Sequence, residues 1–335
     1  MKKPRPTLAD VAKVAGVSRM TASRALNEKA GVSDKTREDI QRIASEMGYV
    51  ANPLAQKLSN GRTHIIGVIA QLPTSFTNEM VMGIGTSVRS AGYEMLVYFL
   101  SDTDMQPPSS VVNLLQQFAD GIIVLLPYEA DYLEKLRQAS LPVVTVESLH
   151  DEPTFPAIIT DGYQGGRQAM EHLIELGHRR IGFITGDLKL ISARSRLKAY
   201  KDMIEQYGLD ADPALICEGD YMQVGGYDAA KSLLAIKERP TAIFASNDIS
   251  ALGALSAIRE AGLSVPEDMS LVGFDDISLS EQMHPALTTI HQPLQQMGRS
   301  AVNLLMAMIA GLEVPFHQIT LPTELVVRQS TAKPK

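Results

Sequence analysis

"VAKVAGVSRMTASRALN", Val11–Asn27, holds two short amphipathic segments on either side of a glycine. Just upstream, Thr7 followed three residues later by Asp10 predicts an N-cap with a capping-box acid, so a helix starts near Leu8. Val11, Ala12 and Ala15 set its apolar stripe at helical spacing. Gly16 ends it with the permissive backbone that a tight turn needs. Ser18 can cap a second helix running from Arg19 to about Asn27. At ~100° per residue, Arg19, Met20, Ser23, Arg24 and Asn27 fall on one arc of that helix. Ala22, Ala25 and Leu26 fall on the other, and Ala12 and Ala22 are small where two helices must approach closely.

A solvated polar face would explain the arc alone. It does not explain why Ala12, Gly16, Val17, Ala22 and Ala25 stand together at the offsets of a helix-turn-helix, whose second helix enters the DNA major groove by its N-terminal end. Arg19, Met20 and Arg24 are then expected at base edges. Arginine can grip guanine O6 and N7 with two hydrogen bonds, and Met20 can touch a thymine methyl. Thr21 and Ser23 are expected on or near the phosphate backbone, and Thr7, Ser18 and Asn27 complete the candidate DNA-contact set.

Charge points the same way. Residues 1–63 carry 12 Lys/Arg and 6 Asp/Glu, a net of +6, whereas the remainder is at −13 and the whole chain at −7. A basic head on an acidic body suits phosphate neutralisation with counterion release. Ser33 starts a third helix, through about Met47, whose Ile40, Ile43 and Met47 complete a small core. Next, in "YVANPLAQKLSNG", Asn52 can cap, Pro53 suits a first helical position and Gly61 suits the stop. Leu54, Ala55 and Leu58 line one side of a helix too short to be stable alone. It reads either as a plain linker or as a hinge that folds on DNA with Leu58 wedged in the minor groove.

The 335 residues allow two or three domains. The single cysteine, Cys217, rules out an intrachain disulfide and fits a reducing cytoplasm, where it is expected as a small buried hydrophobe. "MKKPRPTLADVAKVAG" lacks the continuous apolar stretch of a secretory signal, and no run approaches ~18 apolar residues, so no membrane association is expected.

From His64 on, short apolar runs ("HIIGVIA", "EMLVYFLS", "GIIVLLP", "PVVTVE", "AIITD", "RIGFITG", "AIFASN", "MSLVGFDD", "TTIHQ") alternate with helical stretches such as 163–176, 196–207 and 249–261. Near-continuous apolar strands joined through helices predict parallel sheets covered on both faces, and about ten strands predict two doubly wound lobes. Ligands of such sheets bind beyond the carboxyl ends of the strands. Ser75, Phe76, Asn78, Ser101, Asp102, Glu147, Ser192, Arg194, Arg196, Asn247, Asp248, Asp275, Asp276, His291 and Gln292 gather there. Any one of them could equally be an ordinary solvated loop residue.

"TLADVAKVAGVSRMTASRALN", "VSDKTREDIQRIASEMGYVANPLAQKLSNGRTHIIGVI" and "ELGHRRIGFITG" closely resemble the lactose/galactose-repressor (LacI/GalR) family, over nearly the whole chain. The resemblance implies an all-α helix-turn-helix head, residues 1–50, a hinge helix and linker, 51–62, and an effector-binding and dimerisation body, 63–335. The body is then an α/β pair of doubly wound parallel-sheet lobes like a type I periplasmic binding protein. One lobe takes about 63–161 and 291–322, the other about 162–290 and 323–335. It also implies that Arg196 in "SARSRLKAY", Asp275 in "VGFDD" and Asn247 in "SND" contact the effector, with Tyr221 in "EGDYMQ" at the aromatic stacking position. An arginine fork and a carboxylate suit a polyhydroxylated ligand.

The expected effector set is therefore Phe76, Ser101, Asp102, Glu147, Ser192, Arg196, Tyr221, Asn247, Asp275 and Gln292. The reading is a cytoplasmic, effector-controlled repressor of carbohydrate-use genes that binds double-stranded operator DNA as a homodimer. No tail heptads suggest a tetramer. Lys189 and nearby arginines keep a sugar phosphate open, and a nucleobase is a further alternative. Two rivals are weaker. An enzyme lacks support: "GIGTSV", 83–88, misses the third glycine of a dinucleotide site and reads as helix packing, and no P-loop, H-E-x-x-H, G-x-S-x-G or metal-ligand spacing occurs. No cofactor or metal is therefore expected, the adjacent Asp275 and Asp276 being poor grounds for a cation site. A secreted transport receptor would need a leader and no basic head.

Overall fold

The computed structural model describes residues 6–27, 29–50, 61–71, 74–100, 108–125, 130–148, 154–314 and 318–335. Ala55 and Leu58 of the expected hinge, and Ser101 and Asp102 of the expected effector set, lie outside them. The chain divides into a small unit, Met1–His64 with Gln117–Ala119, and a large one, Ile65–Gln116 with Asp120–Lys335.

In the small unit, α1 (Leu8–Val14), α2 (Arg19–Leu26) and α3 (Asp34–Glu46) close on one another. Thr7 and Asp10 form a full capping box on α1, Ser18 Oγ accepts the Thr21 N–H on α2, and Ser33 Oγ accepts the Thr36 N–H on α3. Gly16 sits at φ +64°, a backbone that side chains rarely adopt, and so permits the α1–α2 turn. Val11, Ala12, Ala22, Ala25, Ile40 and Ala44 are buried together, with Val17, Leu26, Ile43 and Met47 packed half-buried around them. Arg37 adds a tie that the sequence does not announce. Its guanidinium donates to the Ala25 carbonyl in the last turn of α2 (3.1 Å) and to the Lys29 carbonyl just beyond the helix (3.0 Å).

The large unit follows as β1 (Ile65–Ala70), α4 (Ser75–Ser90), β2 (Glu94–Phe99), α5 (Pro108–Phe118), β3 (Gly121–Leu125), α6 (Ala130–Arg137), β4 (Val143–Val146), β5 (Ala157–Thr160), α7 (Gly162–Glu175), β6 (Ile181–Ile184), α8 (Ile191–Gln206), β7 (Ile216–Cys217), α9 (Gln223–Ala235), β8 (Ala242–Ala245), α10 (Asp248–Glu260), β9 (Ser270–Val272), α11 (Ser278–Gln282), β10 (Thr289–His291), α12 (Leu294–Ile309), β11 (Gln318–Leu321) and β12 (Glu324–Val326). One sheet has the order β11-β5-β4-β3-β1-β2 and a second β7-β6-β8-β9. Their pairings are parallel, as buried apolar strands joined by helices require.

The chain passes between the two lobes after β5, after β10 and after β11. There the expectation of purely parallel pairing is corrected: β10 and β12 pair antiparallel, because two neighbouring crossings run in opposite directions. Cys217 is only half-buried, since β7 is a two-residue edge strand. "GIGTSV" lies inside α4, where Gly83 meets the backbone of Gln295 and Gly298 of α12 meets that of Met80. A Cβ at either glycine would lie within 2.5 Å of a carbonyl oxygen, so both serve close helix packing. Among the described residues, no helix is long and apolar enough to cross a membrane.

Candidate nucleic-acid interface and candidate ligand cleft

On α2, Arg19, Met20 and Arg24 are exposed, Met20 by 67%. A large apolar side chain held in water on a helix of buried alanines is free to meet a partner. Ser18 and Thr21 share a 2.8 Å hydroxyl contact while Ser18 caps the helix. Asn27 turns its amide back on the Ser23 carbonyl (2.8 Å), and the Thr7 hydroxyl is held by Asp10 (2.7 Å). Arg19, Met20 and Arg24 are thus the unencumbered members of the expected set, while Thr7, Ser18 and Asn27 also shape the helices.

The cleft lies within the large unit, between its two lobes. A cavity of about 310 Å³ is lined by the ends of β1, β4, β8 and β9, by the loop between β7 and α9, and by the N-terminal parts of α4, α8 and α10. Phe76, Leu190, Met222 and Ile249 supply apolar wall, and Glu147, Ser192, Arg196, Tyr221, Asn247 and Asp275 supply polar groups. Three of these are non-glycine residues at positive φ: Glu147 (+72°), Tyr221 (+67°) and Asp275 (+114°). Such backbones cost on the order of 1–3 kcal/mol each and persist where the surroundings hold them for function.

Arg196 is 3% exposed. Its guanidinium lies 3.6 Å over the Phe274 ring and 5.8 Å from that of Tyr221, and Nη1 donates to the Ser246 carbonyl at 2.6 Å. Its Nε and the Tyr221 hydroxyl are buried without a well-formed hydrogen bond among the described residues; the hydroxyl lies near Ser192. Burial pushes the Glu147 carboxyl above the usual carboxylate range, against the pull of Arg196. Burial likewise pushes Asp275 up to about 7, opposed by Arg196 and by the Gln292 amide. Burial and the neighbouring Asp275 charge also raise Asp248 well above its ordinary value, although Thr289 Oγ1 donates to it at 2.5 Å. The site therefore holds one guanidinium among carboxyls that protonate easily, with donors and acceptors fixed in place before any ligand arrives.

The structure rearranges several expected members. Gln292 does not line the cavity; it is 1% exposed and holds Asp275 from behind, Nε2 to Oδ1 at 2.7 Å, while Thr160 donates to its other amide atom. Asn247 reaches the cavity, but its amide is bound to the Tyr221 carbonyl (3.0 Å) and caps α10 at Ser250. Asn78 points to solvent, and Arg194 bonds the carbonyls of Leu188 and Lys189. Asp276 is bound by Arg328 (2.7 Å) and His291 (2.9 Å), and no group of metal-binding side chains occurs among the described residues. Sequence reasoning missed Gln71, Thr74, Thr77, Leu190, Met222 and Ile249 in the lining, and Phe274 beneath Arg196. Leu190, Met222, Ile249 and Phe274 are apolar and carry no signal that separates wall from core, and Thr74 and Thr77 are engaged with each other in the cap of α4.

Comparison with known proteins agrees with both parts. Residues 7–52 match bacterial regulatory proteins of the lacI family, and residues 170–331 match a periplasmic binding protein-like domain. The HTH-type transcriptional regulator DegA of Bacillus subtilis is 34% identical, with 98% of each chain covered. The HTH-type transcriptional repressor CytR of Escherichia coli is 33% identical over 97% of this chain and 96% of its own. Among solved structures, the lac repressor dimer bound to operator and the anti-inducer ONPF has a TM-score of 0.86 at 31% identity, covering 98% of this chain and all of that one. The transcriptional regulator CelR–cellobiose complex has a TM-score of 0.74 at 32% identity, covering 97% and 100%. With an exposed helix-turn-helix at one end, a two-lobed ligand cleft in the body and relatives alike from end to end, the chain belongs to the LacI family of bacterial transcriptional regulators.

Proposed function

We propose that the chain is a cytoplasmic repressor that binds a near-palindromic operator as a homodimer and is controlled by a sugar-like effector in the cleft, with no catalytic role. The observation that carries effector control is the buried, half-satisfied Arg196 beside Glu147 and Asp275 at strained backbone positions. A fork of donors facing two carboxyls across apolar walls suits neighbouring hydroxyls, each of which both donates and accepts. The dimer rests on likeness to the lac repressor dimer, and the sugar class on likeness to the cellobiose complex of CelR. Two half-sites read by two α2 helices follow from twofold symmetry.

A nucleoside-like effector is the second reading, favoured by the Phe76 and Tyr221 rings in the lining. Ligand changes operator affinity only if it prefers one arrangement of the lobes, with a typical coupling of ~1–3 kcal/mol. The test is selection of an operator from random duplexes by the full-length protein, then a thermal-shift screen of sugars and nucleosides with operator binding as readout. Selective duplex binding altered by a stabilising compound is expected. No preference for any duplex over random DNA refutes the reading.

A further inference from the structure

A second space borders the inner cavity. Gln71 and Met222 line it and also line an outer groove of about 800 Å³, so the two spaces adjoin along one side. The groove is built from the turn after β6, Thr185–Lys189, and the loop before α9, Glu218–Asp220. The Thr185 hydroxyl accepts the Gly219 N–H at 3.3 Å and ties the two segments together. Asp187 and Asp220 are each oriented by an N–H of their own loop, from Lys189 and Met222, both at 2.9 Å. At its rim Leu188 and Met222 are exposed by 37% and 42%.

We infer that the effector has two parts: a ring held in the inner cavity and a second, uncharged, hydroxyl-bearing ring lying in this groove. The inference rests on the reading that the cleft binds the effector. Arg196, with its buried and unpaired Nε, anchors the inner part. The groove offers carboxylate acceptors to hydroxyls and, in Leu188 and Met222, apolar surface to the face of a ring. It has three acids, Asp187, Glu218 and Asp220, against one base, Lys189. Asp220 also stands just ahead of the first turn of α9 and offsets the partial positive charge of that helix end. A phosphate on the second part would meet three like charges. A disaccharide and a nucleoside share the required chemistry.

A soluble metabolite extract of the source cells is split on an anion exchanger into an anionic eluate and an uncharged-plus-cationic flow-through. Each fraction is added to the full-length protein on its selected operator. The flow-through is expected to alter operator affinity, and its purified active compound to show two rings by mass spectrometry, with fragmentation distinguishing disaccharide from nucleoside. Glu218 is exposed, so Glu218→Arg is expected to keep the wild-type melting temperature and to bind that compound about tenfold more weakly or worse. Activity confined to the anionic eluate, a one-ring compound, or undiminished binding by Glu218→Arg overturns the inference and leaves effector control standing. If neither fraction acts while the operator is still bound, effector control itself fails, and the inference with it.

Discussion

The exposed face of α2 and the cleft of the body solve opposite problems. On α2 the charged groups come from one short segment, sit in water, and rest on a floor of buried alanines. In the cleft, Glu147, Arg196, Asn247 and Asp275 come from four distant segments, are almost wholly buried, and include two strained backbones. An exposed arginine costs little to hold and gains its energy only from a partner. A buried one must be paired within the fold, and losing either member leaves an uncompensated charge. Substitutions in the cleft should therefore change stability, in either direction, as well as function, whereas loss of the exposed α2 side chains should change function alone.

The sharpest contrast pairs the two arginines. Arg196→Ala is expected to abolish the effector response and to cost about 1–3 kcal/mol of body stability, read by chemical denaturation, because the Ser246 carbonyl loses its donor and the Phe274 ring its guanidinium cover. Arg24→Ala is expected to leave the melting temperature unchanged, relax operator discrimination and cost about 1–3 kcal/mol of specific binding in a gel-shift assay. Equal stability losses for the two would erase the distinction.

Ser18→Ala tests the reverse case, a head residue with a structural duty. It removes the α2 cap and should cost about 1 kcal/mol of head stability. A contrast within the cleft itself is the pH dependence of Asp275→Asn. Asp275 is raised to about 7 in the fold from an ordinary 3.8, so the folded state holds a proton that the unfolded chain releases. Stability is therefore lost as pH rises from about 4 through about 7. The asparagine variant, which keeps an acceptor for Gln292, should melt higher than the wild type at pH 8 and show little advantage at pH 4. A gain that is equal at both pH values contradicts the raised carboxyl.

The same contrast decides what a sequence reveals. The head is legible because most of its signals are local: caps at Thr7, Ser18 and Ser33, a glycine turn, and alanines on one arc; the Arg37 tie to Ala25 and Lys29 is the part that is not. In the body, the buried parallel strands are legible from their apolar runs. β7, β11 and β12 are not, because a two-residue edge strand and short strands with exposed polar residues lack such a run. In the cleft, the polar members at strand ends could be named, but not their duties. That Gln292 braces Asp275, that the Asn247 amide bonds the Tyr221 carbonyl, and that Phe274 carries the Arg196 guanidinium all depend on distances between segments far apart in the chain.

The central claim is that occupancy of the cleft and grip on the operator are linked. Linkage is reciprocal, so the affinity of the active metabolite should differ between free protein and operator-bound protein by the same factor by which that metabolite changes operator affinity, about 5–150-fold. Titration calorimetry of the metabolite into both forms measures this directly. The account predicts two affinities separated by that factor; one shared affinity, with and without operator, would contradict it.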